Sequence, residues 1–235
     1  AIGTTRRKLS RAERAGYRAP YSNWKQRLAV HRFVQDIPVQ PTDVSWPTLA
    51  AVESHLEQQG PFQILVNNSG GPPGGPIFEA NADEFLVALR RHLVCNHRLA
   101  QLLVPGMESS GFGRIVNISS IAAIYNFNGN SIYHATKAGI HALSRQLRVD
   151  ATGKRVRVTE ICPGRVATDI FGHVHGDIEA ARKQFIDGFE LPQASDIADA
   201  IAFAVSAPIA VNISNIEILP TLQVPGGLTT IKPQD

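Results

Sequence analysis

Ser131-Ile132-Tyr133-His134-Ala135-Thr136-Lys137-Ala138-Gly139 sets a phenol and an ammonium four residues apart. On a helix that spacing puts both side chains on one face, about one turn apart. A free phenol has a pKa near ~10 and exchanges protons poorly at neutral pH. An ammonium beside it favours the phenolate, so Lys137 is expected to bring the Tyr133 pKa down toward the working range. Thirteen residues upstream stands Ser120, at the end of the apolar run Arg114-Ile115-Val116-Asn117-Ile118-Ser119. A lone Tyr-x-x-x-Lys is most often a surface aromatic beside a solvated lysine. The reading therefore rests on what surrounds this pair.

The chain has 235 residues, 43% of them hydrophobic and 18% charged, which fits a globular protein with a sizeable core. No apolar run approaches the ~18 residues that cross a membrane. No apolar stretch of signal-peptide type heads the sequence. Cys95 and Cys162 read as ordinary buried thiols of a reducing compartment, so a cytoplasmic location is expected. The net charge is +3 and no Lys/Arg block is long enough for a nucleic-acid arm. Neither a nucleic acid nor a membrane is an expected partner. His92 and His97 share no helix face, and His173 and His175 read as solvated loop residues, so no metal is expected.

A strand ending in a hydroxyl, then a Tyr-x-x-x-Lys helix, resembles the active site of the short-chain dehydrogenase/reductase family. Further stretches carry the resemblance. Phe62-Gln63-Ile64-Leu65-Val66 has the length and continuous apolarity of a parallel strand covered on both faces. It ends in Asn67-Asn68-Ser69-Gly70, close to the family's Asn-Asn-Ala-Gly. Cys162-Pro163-Gly164-Arg165-Val166-Ala167-Thr168 matches its Pro-Gly-x-Val-x-Thr, and Asp43-Val44 matches its adenine-contacting pair. Residues 156–220 look like the branch that includes NADP-dependent 3-hydroxy acid and serine dehydrogenases.

The resemblance implies an α/β doubly wound parallel-sheet Rossmann fold, with residues 1–235 as a single domain and a mobile lid at about 171–189. It implies hydride transfer between NADP, with NAD as the alternative, and a small hydroxy or oxo compound: a hydroxy acid, a sugar or a secondary alcohol. Tyr133 would move the proton, Lys137 would tune it and bond the ribose, and Ser120 would hold the substrate oxygen. The implied cofactor contacts are Arg6, Arg7, Asp43, Val44, Asn68, Gly70, Tyr133, Lys137, Pro163, Gly164, Val166 and Thr168. A basic pair at residues 6 and 7 suits the 2′-phosphate of NADP. Helices at 81–104 and 131–152 would pair subunits into a homodimer or homotetramer.

The remaining segments follow from local signals. Residues 6–36 look helical in two parts. Asn81-Ala82-Asp83-Glu84 looks like a capping box, opening a helix that ends before Pro105-Gly106. Ile121 to Asn130 should wall the substrate. Two departures from the family stand out. An Asn that anchors a water in the family's proton relay is replaced by His92. The first strand and the glycine turn Thr-Gly-x-x-x-Gly-x-Gly, which seats pyrophosphate on a helix N-terminus, are missing or divergent. The second departure keeps open a cofactor-free relative, lyase-like or a binding protein with a relic site.

Overall fold

The computed structural model describes residues 29–31, 54, 61–69, 71 and 75–233. Within these, five parallel strands lie side by side in chain order: β1 (Ala29–His31), β2 (Ile64–Asn67), β3 (Gly113–Ile118), β4 (Val156–Pro163) and β5 (Asn215–Ile218). Leu65 stands opposite Ile115, and Ile115 opposite Val158. Every residue of β2 and β3 is buried. That is the reason these segments read as nearly unbroken apolar runs: helices cover both faces of the sheet.

The helices are α1 (Ala82–Leu89), α2 (Cys95–Ser109), α3 (Ser131–Asp150), α4 (Ile170–His175), α5 (Ile178–Phe185) and α6 (Ala194–Ser206). Side chains alternate along each strand. Leu65, Ile115 and Val158 point to one face, where they pack on Leu99, Leu103 and Met107 of α2 and Leu147 of α3. Ile64, Val66, Val116 and Ile161 point to the other, against Ile197, Ile201 and Val205 of α6. This is the doubly wound α/β architecture expected from the sequence. Among the described residues no helix is long and apolar enough to cross a membrane.

Two expectations are corrected. Ala29-Val30-His31 is a strand, not part of a helix; it pairs with Leu65-Val66-Asn67 and supplies backbone partners to the free edge of β2. A three-residue strand carries too little periodicity to be read locally. The helix begun at Asn81 also continues through Pro105 to Ser109. An interior proline costs roughly 3 kcal/mol. Here Met107, fully buried in the core, keeps the last turn in place.

A ladder of side-chain hydrogen bonds runs from the sheet into α3. Asn67 Nδ2 donates to Asn117 Oδ1 at 2.8 Å, Asn117 Nδ2 donates to Ser144 Oγ at 2.8 Å, and Ser144 donates to the Ile140 carbonyl. The ladder ties β2 and β3 to α3 and fixes the rotation of that helix. Arg114 donates to the Val205 carbonyl, and Arg157 to the carbonyls of Ala207, Pro208 and Val211. Both guanidiniums thereby satisfy carbonyls at and beyond the end of α6.

Gly113 marks the tightest approach of α2 to the sheet: a Cβ there would lie 2.7 Å from Met107 Cβ and 2.8 Å from Val156 Cγ2. Gly113→Ala is expected to destabilise the fold by about 1–3 kcal/mol through overpacking. A shift in the urea midpoint at unchanged slope checks this.

Candidate active site

The candidate site gathers where the parallel strands end. Asn68 and Ser69 follow β2, Ser119 and Ser120 follow β3, and Pro163-Gly164 closes β4. In open parallel sheets this carboxyl edge is where ligands bind. The helix α3 crosses it and lowers Lys137 into the fold. The Lys137 side chain is 3% exposed, and its ammonium donates to the Ile118 carbonyl at 3.0 Å. Ser119 Oγ donates to the Lys137 carbonyl in return. Tyr133, one turn earlier, shares the face: Lys137 Nζ lies 5.6 Å from its ring centroid. The Ser120 hydroxyl lies near enough to the Tyr133 phenol to favour its ionised form, and it accepts from the Ala122 N–H at 3.1 Å. Ser120, Tyr133 and Lys137 lie together at the end of β3.

The electrostatics differ from the sequence reading. Burial lowers the Lys137 pKa to about 8, with Cys162 and Glu160 opposing. The same burial pushes the Tyr133 phenol above its ordinary value, and the Ser120 hydrogen bond only partly offsets this. The expected net lowering by Lys137 is not found. Taking the phenolate out of water costs more than the neighbouring groups return.

His92 is fully buried, in a π turn, Arg90–Val94, between α1 and α2, closed by the Cys95 N–H on the Arg90 carbonyl. Its Nδ1 lies 2.5 Å from Ser69 Oγ, and its Nε2 has no hydrogen-bond partner. Burial first, then the charges of Lys137 and Arg91, lowers its pKa to about 3. The imidazole is neutral throughout the ordinary pH range.

The walls are fixed by named contacts. His134 Nδ1 meets the Ala122 carbonyl at 2.9 Å and its Nε2 meets the Phe127 carbonyl at 3.0 Å, which pins the loop after Ser120 to α3. Gly75 bonds Gly129 and Ser131, holding residues 75–76 beside the start of α3. A Cβ on Gly71 would sit 3.6 Å from both Ile170 Cδ1 of α4 and Tyr133 Cε2, so the residue-71 backbone packs close to both side chains. Phe171 stacks on Phe185 at 4.7 Å, joining α4 to α5 across the expected lid segment. Gly164, Val166 and Thr168 are half-buried beside the β4 end, while Asn68 is exposed. Arg6, Arg7, Asp43, Val44 and Gly70 lie outside the described residues.

Two side chains were missed from sequence. Gln223, 5% exposed, accepts from the Arg165 N–H and would lie 2.5 Å from a Cβ on Gly164. Nothing in its Pro/Gly-rich tail marks it. Ser69 was read only as a small residue of the turn; its hydroxyl, where the family has alanine, was the available signal.

The profile of the short chain dehydrogenase family matches residues 24–178. This chain belongs to that family. It is 33% identical over 170 residues to the NADP-dependent 3-hydroxy acid dehydrogenase YdfG of Escherichia coli K12, covering 71% of this chain and 68% of that protein. It superposes on the closed form of serine dehydrogenase complexed with NADP+ with a TM-score of 0.70 at 31% identity, over 78% of this chain and 77% of that one. The L-sorbose reductase of Gluconobacter frateurii complexed with NADPH and L-sorbose gives a TM-score of 0.64 at 25% identity, over 79% and 74% of the two chains. In this short-chain dehydrogenase, His92 and Ser69 are in direct contact with each other.

The buried imidazole has a consequence for stability. The unfolded chain binds a proton on His92 near 6.5 and the folded chain only near about 3. Stability is unaffected by this group above the unfolded value and falls as pH drops through the window between the two. His92→Asn is expected to remove about one proton from the linkage slope across that window. Urea melts of both proteins across the acid range check it; parallel curves would contradict it.

Proposed function

We propose that this chain is an NADP-dependent oxidoreductase that moves hydride between nicotinamide and a small hydroxy or oxo compound. The observation that carries the reading is the meeting of Ser120, Tyr133 and Lys137 in one buried corner at the end of β3. The names of the relatives point to hydroxy acids, serine and sugars as the substrate class.

The donor set suits the cofactor. An ammonium has three donors, and the Ile118 carbonyl takes one from Lys137. The remainder are available to ribose hydroxyls. Asn68, Pro163, Gly164, Val166 and Thr168 would hold the nicotinamide half. Arg6, Arg7, Asp43, Val44 and Gly70 are assigned to the adenosine half, with the basic pair favouring NADP over NAD. NADP, when bound, supplies the hydride acceptor or donor.

The protein's own groups handle the proton. Burial keeps the Tyr133 phenol protonated, the state needed to donate to a substrate carbonyl oxygen. Ser120 donates to the same oxygen and steadies its developing charge. The Lys137 ammonium stabilises the phenolate that remains. His92 stands behind Lys137 as a neutral polar group. Exposed Leu86, Val87 and Val149 on α1 and α3 suit contact with a second copy of the chain. Two free thiols suit a reducing, cytoplasmic compartment.

Tyr133→Phe is expected to lower kcat by roughly 10²–10⁴-fold, the usual worth of a positioned acid-base group, while NADPH still binds. Steady-state rates with hydroxy acids, serine and sorbose, alongside NADPH fluorescence titration, check both halves. Wild-type turnover by the variant would refute the role of Tyr133. Failure of the native chain to bind NADPH would favour the cofactor-free relative.

A further inference from the structure

We infer that Arg165 is a positioning residue: its guanidinium clasps the α4–α5 segment to the loop at residues 222–231, so that two covers of the candidate site move as one.

The backbone fixes where the clasp starts. Arg165 follows Pro163-Gly164 at the end of β4, in the position that Pro-Gly-x-Val-x-Thr leaves open. Its own N–H donates to Gln223 Oε1 at 3.0 Å, and Gln223 Nε2 donates to the Gly227 carbonyl at 2.6 Å. A Cβ at Gly164 would lie 2.5 Å from the same Oε1, so the Gln223 amide presses directly on the strand end. The loop around Gln223 doubles back on itself. The Val224 N–H donates to the Thr229 carbonyl, and the Ile231 N–H to the Leu222 carbonyl.

The Arg165 side chain then reaches in two directions. Its Nη2 donates to the Leu228 carbonyl at 2.8 Å. Its guanidinium carbon lies 5.9 Å from the Phe185 ring centroid and 5.2 Å from that of Phe189. Both separations fall within the ~6 Å over which an aromatic ring attracts a cation. Phe185 ends α5 and stacks on Phe171 of α4. The Phe189 ring also meets Lys232, whose Nζ lies 5.0 Å from its centroid. A planar guanidinium can donate along its edge while its face meets a ring, which an ammonium cannot do.

Each partner of the clasp reaches the candidate site separately. The residue-71 backbone packs close to both Ile170 of α4 and Tyr133. A Cβ at Gly226, in the turn of the 222–231 loop, would lie 3.9 Å from Tyr125 Cδ1, in the segment after Ser120. Arg165 joins these two sides to the end of β4. The effect on substrate binding rests on the oxidoreductase reading; the coupling of the two covers does not.

Amide hydrogen exchange on the full chain tests the coupling, read on the side of the clasp away from the substitution. The background is Lys232→Met, in which Lys232 no longer bridges the Phe189 ring to the loop. There Phe189→Leu should speed exchange of the Val224 and Ile231 amides roughly two- to fivefold, the worth of a cation–ring contact. Arg165→Met keeps the apolar stem. It should speed those amides and the Ile186 and Phe189 amides together, roughly tenfold or more with the charged hydrogen bond gone. In turnover, Arg165→Met should raise the KM for the hydroxy or oxo substrate roughly tenfold, with kcat within about twofold of native, the pattern of lost uniform binding. A merely structural loss would lower the active fraction and leave KM alone. Arg165→Lys gives a weaker form of the same readouts should the methionine variant not fold. Faster exchange confined to residues 182–190 in the Phe189→Leu chain, or a native KM in Arg165→Met, overturns the proposal. A native chain with no turnover defeats the oxidoreductase reading instead, and the exchange rates still decide the clasp.

Discussion

The site depends on an ammonium held out of water against the last carbonyl of β3. Burying a charge costs several kcal/mol even after relaxation, and the cost is borne only where geometry returns most of it. Lys137 recovers part from the Ile118 carbonyl and part from the field of Glu160, fully buried on β4 and itself bonded by His141 and Asn215. This arrangement needs α3 at one depth and one rotation. The Asn67–Asn117–Ser144 ladder sets the rotation, and Gly139 allows the π turn to close on the helix. Several polar residues buried in the sheet and α3 thus serve one end: to present a charged head at the carboxyl edge.

The same burial governs the phenol. A lysine one turn away is a force toward ionisation, but desolvation acts on Tyr133 too, and desolvation is larger. The folded chain therefore holds a protonated phenol beside a partly destabilised ammonium. These are two halves of one bias: the corner resists net charge of either sign. In the reaction proposed, a substrate carbonyl would meet hydrogen-bond donors from Ser120 and Tyr133, neither of which needs to be ionised to act.

His92 shows how a departure from a family pattern is absorbed. A histidine placed at this depth, if protonated, would stand as a cation beside Lys137. Burial and that neighbouring charge hold it neutral instead. Ser69, at the end of β2, supplies the partner that a buried neutral ring needs. The two positions lie 23 residues apart in the chain and are one feature in the fold.

The sequence by itself determined the chemistry-bearing pattern. Apolar runs of strand length named β2 and β3, and the alternation over residues 155–158 named β4. The Tyr-x-x-x-Lys spacing put both groups on one helix face, and Ser120 at a strand end completed the set. These readings hold because they rest on local periodicity, which the chain carries without its neighbours. What only the tertiary structure decided rests on contacts between distant segments. Whether Pro105 ends a helix depended on the burial of Met107. Whether Ala29-Val30-His31 is a strand depended on the free edge of β2. Whether the phenol's pKa falls or rises depended on how much water the packing around α3 excludes, and desolvation is a property of packing that no spacing of residues encodes.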